Sequence, residues 1–237
     1  MICHVGANRM KNVALSRLLL VTAMTESCWL NTLRARRAIA VVRTADVALC
    51  CQQARAAARG GLRLLEIAWT GAETAESIAC LRAELPDCIV GTGTIMTTAQ
   101  LDAAISAGAE FAFAPHADPD MIAAALAAEI PIVPGALTPT EIVAAWQAGA
   151  SCVKVFPVQA VGGSQYVSSL QGPLGYIPLI PTGGITLDNA RAFLAAGAIA
   201  IGLSGQLFSP AAVAARDWDA IATRAAALQH NLRPWLA

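Results

Sequence analysis

Four times in this chain an alanine-rich stretch closes on a glycine turn and passes straight into apolar residues. These are ARGGLRLLEIA from residue 58, SAGAEFAFA from 106, QAGASCVKVF from 147 and AAGAIAIGL from 195. Glycine just past a helix end supplies a left-handed cap, and a short apolar run bounded by turns is the pattern of a strand buried on both faces. Each stretch is therefore an α-to-β junction. Filling the intervals gives candidate strands beginning near residues 38 (AIAVVR), 62 (LRLLEIA), 88 (CIVGTG), 110 (EFAFAP), 131 (PIVPG), 152 (CVKVFP), 177 (IPLIPTGG) and 199 (IAIGLS). Their spacing is that of one strand, one helix and two short loops. Eight parallel βα units predict an α/β fold closed as a (β/α)8 barrel. A doubly wound open sheet would place a GxGxxG turn after the first strand, which here ends in Arg43-Thr44; the GTGT from 91 follows the third strand and lacks the last glycine.

Composition fits one domain around a large core, with 237 residues, 56% hydrophobic and 14% charged. The reading divides the chain into an N-terminal extension, 1–29, poorly ordered or helical, and a single barrel domain with a C-terminal helix, 30–237. Sixteen acidic residues balance sixteen basic ones without a basic stripe, which excludes an electrostatic footprint for nucleic acid or an anionic membrane; the partner is a small molecule. No segment has the 18 apolar residues of a membrane span. LLLVTAM, after Lys11 and Arg17, is only at the lower limit of a signal-peptide core. Seven cysteines, odd in number and mostly inside apolar stretches, read as buried thiols in a reducing, cytoplasmic setting. His4, His116 and His230 lie far apart and no cluster has zinc spacing, so no metal is expected.

Barrel chemistry sits at the carboxyl ends of the strands, which collects the candidate residues before any reaction is assumed. They include Arg43, Glu66, Thr94, Pro115, Lys154, Phe156, Thr182, Gly183, Gly184, Gly202 and Ser204. Lys154 stands out because, of the basic residues, only it and Lys11 are lysine. A lysine that loses hydration inside a barrel is a nucleophile toward a ketone. Glu66, on the second strand, faces it across the ring. The alternative is a structural ion pair, a weak source of stability once both charges are desolvated. PTGGI from 181 and IGLSG from 201 end the last two strands in glycine loops, the usual place for phosphate on such barrels. Arg43 is either a bidentate carboxylate clamp or a solvated loop residue. His116 is assigned no role, and Trp146 and Cys152 read as core.

LLEIAWT (64–70), IVGTGTI (89–95), FAPH (113–116), VPGALTPTEI (133–142), VKVFPVQAVGG (153–163) and PTGGI (181–185) resemble the 2-keto-3-deoxy-6-phosphogluconate aldolase family, which includes 4-hydroxy-2-oxoglutarate aldolases. The resemblance runs in order over roughly residues 30 to 208. It implies a class I aldolase on a (β/α)8 barrel, a homotrimer needing neither metal nor other cofactor. It further implies Lys154 as the Schiff-base lysine and Glu66 as the general acid/base. Thr94, Pro115 and Phe156 match substrate positions, and Gly183, Gly184 and Ser204 match phosphate loops. Many members carry an arginine four residues after the glutamate, where this chain has Thr70; a subgroup carries one at the end of the first strand, as Arg43 does here. Arg43 is then the carboxylate clamp. The first 29 residues have no counterpart in the family. Two rival readings are a sugar-phosphate isomerase or epimerase, with Lys154 as an electrostatic group, and a catalytically silent ligand-binding barrel.

Overall fold

The computed structural model describes residues 26–236. Helix α1 (Glu26–Arg36) leads into β1 (Ala38–Val42), and strands and helices then alternate. They are α2 (Val47–Arg59), β2 (Leu64–Ala68), α3 (Glu73–Glu84), β3 (Ile89–Gly93), α4 (Thr98–Ser106), β4 (Ala112–Phe113) and α5 (Pro119–Ala127). Next comes β5, in two pieces (Ile132–Val133 and Gly135–Ala136), followed by α6 (Pro139–Gln147), β6 (Val153–Val155), α7 (Ser164–Leu174) and β7 (Leu179–Pro181). The chain closes with α8 (Ala190–Ala195), β8 (Ile201–Leu203), α9 (Pro210–Ala214) and α10 (Trp218–Leu232).

All pairings are parallel. One arc runs β5-β4-β3-β2-β1-β8 and a second runs β5-β6-β7. The bridge between Thr182 and Gly202, with the Ile199 N–H donated to the Leu179 carbonyl (3.0 Å), joins β7 to β8 and completes the (β/α)8 ring. Every candidate strand is present, beginning within two residues of its predicted start. The break in β5 falls at Pro134, which has no N–H to give the ladder although its carbonyl still accepts from Lys154 (2.9 Å).

The junctions form as read from the sequence. Gly61, Gly108, Gly149 and Gly197 take φ values of 96°, 93°, 100° and 99°, the left-handed region in which a Cβ is strained. Side-chain caps start several of the helices: Asp46 accepts from the Leu49 N–H (2.7 Å), and Thr138 and Glu141 make a reciprocal capping box on α6.

Strand alternation sorts the apolar residues into two cores. Ala38, Ala40, Val42, Leu65, Ile67 and Val90 join the helix-facing layer. Ile39, Val41, Leu64, Phe111, Phe113, Val133, Cys152 and Ile180 fill the barrel. Trp146 is partly buried against the outer layer. At the amino-terminal mouth Trp29, wholly buried, stacks on Phe111 (centroids 5.1 Å apart), and Phe111 meets Phe113 edge-on (5.7 Å). The boundary expected at residue 29 therefore falls inside α1: Trp29 belongs to the barrel core, because its indole covers apolar strand starts that would otherwise face water. The remainder of the expected extension, 1–25, lies outside the described residues.

Candidate active site at the carboxyl ends of the strands

Counting by twos along each strand from the barrel core reaches the candidate residues. Val41 leads to Arg43, Leu64 to Glu66, Phe113 to Pro115, Cys152 to Lys154 and Phe156, and Ile180 to Thr182. The same strand faces that bury hydrocarbon at one end thus present functional groups at the other. A cavity of about 660 Å³ opens there, lined by Arg43, Thr94, Pro115, Lys154, Phe156, Thr182, Gly183, Gly184, Gly202 and Ser204. Of the predicted residues only Glu66 is missing from the lining, because it lies buried beneath the floor, 1% exposed.

Lys154 is 5% exposed, and its Nζ lies 4.9 Å from the Phe156 ring centroid and 5.9 Å from that of Phe113. Two aromatic faces therefore stabilise its charge without offering a carboxylate at contact distance. Lys154 and Glu66 attract one another yet form none of the ion pairs within 4.0 Å. The carboxyl of Glu66 folds over Gly93, where a Cβ would sit only 1.8 Å from Oε1. Oε1 has no hydrogen-bond partner. Burial pushes the Glu66 carboxyl above the usual carboxylate range, and the charges of Lys154 and Arg43 pull it partly back. A protonatable carboxyl beside an amine is the pairing that acid–base chemistry at a ketone requires.

Arg43, exposed at the rim, donates from Nη2 to Thr94 Oγ1 (3.1 Å). Thr94 holds φ at 59°, an outlying conformation for a β-branched residue, costing on the order of 1–3 kcal/mol where it occurs. Its neighbour Ile95 is fixed by donation to the Phe113 carbonyl (3.2 Å). Thr70 turns away from the cavity: its hydroxyl donates to the Thr44 carbonyl (3.0 Å), tying the loops after β1 and β2 together. Trp69 packs with the helix-facing layer and leaves the cavity open. His116 is half-buried outside the lining, with Nδ1 unpartnered.

At the opposite wall Gly183 and Gly184 adopt φ of 91° and 83°, and Gly184 packs so close to Gln159 that a Cβ would meet its Cβ at 2.4 Å. Asn189 fastens this loop, donating to the Gly184 carbonyl (3.1 Å) and accepting from the Thr186 N–H (2.8 Å). The backbone N–H groups of Gly184, Ile185, Gly205 and Gln206 have no hydrogen-bond partner among the described residues. All four line the cavity, as does Thr186. Thr186, Gly205 and Gln206 were not singled out from sequence; their one signal is their place just beyond the two glycine loops.

A (β/α)8 barrel with a buried amine, a protonatable carboxyl and a wall of unpaired N–H groups defines a class of enzymes that work on carbonyl compounds bearing anionic groups. The comparison with known proteins narrows the class. The family model for KDPG and KHG aldolase matches residues 30–224, and the chain belongs to that family. A 2-dehydro-3-deoxy-phosphogluconate aldolase of Treponema pallidum is 36% identical over 186 residues, covering 78% of this chain and 88% of the relative. A KDPG aldolase from Legionella pneumophila, solved with pyruvate captured as a covalent carbinolamine intermediate, superposes with a TM-score of 0.78 at 25% identity over 84% of this chain and 97% of that one. The 2-keto-3-deoxy-6-phosphogluconate aldolase of Zymomonas mobilis ZM4, solved with 3-phosphoglycerate, gives a TM-score of 0.74 at 26% identity, covering 84% and 94%.

Proposed function

We propose that this chain is a class I aldolase that cleaves 2-keto-3-deoxy-6-phosphogluconate to pyruvate and glyceraldehyde 3-phosphate, and acts by the same chemistry on 4-hydroxy-2-oxoglutarate to give pyruvate and glyoxylate. The observation that carries the proposal is Lys154 in the cavity lining with Glu66, a carboxyl held toward its protonated form by burial, lying beneath the floor within reach of its charge. Lys154 adds to the C2 ketone, and the protonated Glu66 carboxyl gives its proton to the departing hydroxyl, so that water leaves a protonated imine and a Glu66 carboxylate. Glu66 takes the C4 hydroxyl proton, the C3–C4 bond breaks, and its electron pair passes to the imine as an enamine while the aldehyde departs. Protonation at C3 and hydrolysis release pyruvate and the free lysine.

Arg43, oriented by Thr94, holds the carboxylate of the keto acid; Pro115, Phe156 and Thr182 shape the pocket around its ketone. The unpartnered N–H groups beyond Gly183 and beside Ser204 receive the phosphate, which no cationic side chain in these two loops would otherwise meet. That wall supports the phosphorylated substrate in particular. The proposal includes a homotrimer and a cytoplasmic location. Cys50, Cys51, Cys80 and Cys88 are free thiols, and no helix among the described residues is long and apolar enough to cross a membrane. A solution mass of three times 24.4 kDa tests the assembly.

The deciding experiment is borohydride reduction in the presence of pyruvate, read by intact mass and peptide mapping. A single adduct on Lys154, absent from Lys154→Ala, is expected. Folded protein with no adduct would leave the isomerase and silent-barrel readings in its place.

A further inference from the structure

On the outside of the barrel, α2 and α3 bring three thiols together. Cys51 and Cys80 are separated by 29 positions, yet their Sγ atoms lie 3.2 Å apart. Cys80 and Glu84 stand four residues apart on α3 and share a face, with Cys80 Sγ and a Glu84 oxygen within 4.8 Å of each other. Arg55, one turn beyond Cys51 on α2, grips that carboxylate through Nε (2.8 Å) and Nη2 (2.6 Å). Cys51 is buried, 3% exposed, whereas Cys80 is half-buried.

Two chemistries could use such a cluster, and geometry separates them. The Sγ atoms and a Glu84 oxygen lie within 4.8 Å of one another, close enough to suggest a thiophilic cation. Two thiolates on one zinc at about 2.3 Å and a tetrahedral angle would stand roughly 3.8 Å apart, wider than these sulfurs. Glu84 is also committed to Arg55, whose fixed positive charge would repel a divalent ion. A sulfur pair already in contact is placed for a bond between the sulfurs instead.

We propose that Cys51 and Cys80 form a reversible thiol-oxidation site, closing a disulfide between α2 and α3 when hydrogen peroxide is the oxidant. Cys80, the partner solvent can reach, loses its proton to water and attacks one peroxide oxygen. The O–O bond breaks, Cys80 becomes a sulfenic acid, and the second oxygen leaves as water after taking up a proton. Cys51 then attacks the sulfenic sulfur; the S–O bond breaks and hydroxide leaves as water with the Cys51 proton. Two thiols and one peroxide thus give one disulfide and two waters, and a small dithiol reverses the change. Burial, with the hydrogen bond to Cys80 next in weight, pushes the Cys51 thiol up to about 12, so Cys51 is not the thiol that meets peroxide first. Cys50, pushed up to about 11 by burial, stands beside the pair without joining it. In a reducing compartment such bonds are transient and sense oxidant.

The test uses the full chain, reduced, freed of metal and then treated with peroxide, with non-reducing peptide mapping. The expected product is a linked pair of peptides, residues 44–55 with 64–82, two hydrogens lighter than their sum. It should be reversed by dithiothreitol, persist in Cys50→Ala and vanish in Cys80→Ser. In Cys51→Ala the sulfenic acid on Cys80 should become trappable by dimedone. Separate thiols that stay unlinked, a link through Cys50, or peroxide oxidation directly to sulfinic acid would overturn the proposal. So would stoichiometric zinc uptake by the reduced chain at Cys51 and Cys80.

Discussion

The two mouths of the barrel are built from the same strand faces and have opposite chemistry. At the amino-terminal mouth Trp29, Leu33, Ile39, Leu64 and Phe111 are at most 1% exposed and wholly hydrocarbon in their contacts, apart from the unpartnered indole Nε1. One or two inward positions further along, those faces carry Arg43, Glu66, Lys154 and Thr182, with an orphan carboxyl oxygen and a threonine in the left-handed region. Burial lowers free energy at the first mouth and raises the carboxyl of Glu66 at the second, since desolvating apolar area is favourable and desolvating charge is not. Stability and reactivity are therefore separated along one axis, about two residues of strand apart.

Substitution at each mouth should reveal that separation. The largest effect is expected from Lys154→Ala, which should lower kcat/KM for aldol cleavage by roughly 10⁴-fold or more while leaving the melting transition cooperative. Loss of the fold instead would show that the two mouths are not independent. Glu66→Gln should cost roughly 10²- to 10⁴-fold in turnover.

The same variant carries a pH signature. Burial raises the folded pKa of Glu66 above its unfolded value, so between the two the native state binds the extra proton. Wild-type stability then falls as pH rises from the ordinary carboxyl range through the raised folded pKa. The glutamine variant lacks that fall, and urea midpoints at pH 5 and pH 8 should show its advantage growing with pH.

At the other mouth Trp29→Ala should destabilise the chain by about 3–5 kcal/mol, with the fraction that remains folded turning over at the wild-type rate. Equilibrium denaturation and kinetics at low temperature check both halves of that expectation. The smallest of the four is Arg43→Ala, with KM raised roughly 10- to 100-fold by loss of a charge-assisted hydrogen bond and little change in melting temperature.

The eight strands were legible because glycine turns punctuate the junctions and because each strand, covered on both faces, is a continuous apolar run. The interruption of β5 was not, since PIVPG reads as one such run and only the missing proline N–H divides it. Ten site residues could be placed at the cavity by strand position, whereas the depth of Glu66 depends on Gly93 of the neighbouring strand. The wall of unpartnered N–H groups was hidden at Gly205 and Gln206 because backbone N–H groups have no residue identity. Trp29 was missed because ESCWLNTLRAR has too few apolar residues to mark a core helix. Cys51 and Cys80 share no sequence motif; helix packing alone makes them neighbours.

Beyond Ile89, Gly91 and Gly93 leave the inward face of β3 without side chains, and the vacant volumes are filled from elsewhere: Phe111 occupies the first and Glu66 the second, leaving an added Cβ only 2.5 Å and 1.8 Å from them. Three consecutive strands consequently behave as a single inherited block. Recombining this barrel between β2 and β3, or between β3 and β4, with a relative that carries side chains at positions 91 and 93 would pair a filled space with a filled space or an empty one with an empty one. Crossovers placed before β2 or after β4 keep those volumes matched, and chimeras with such a relative should survive at those boundaries and fail between them.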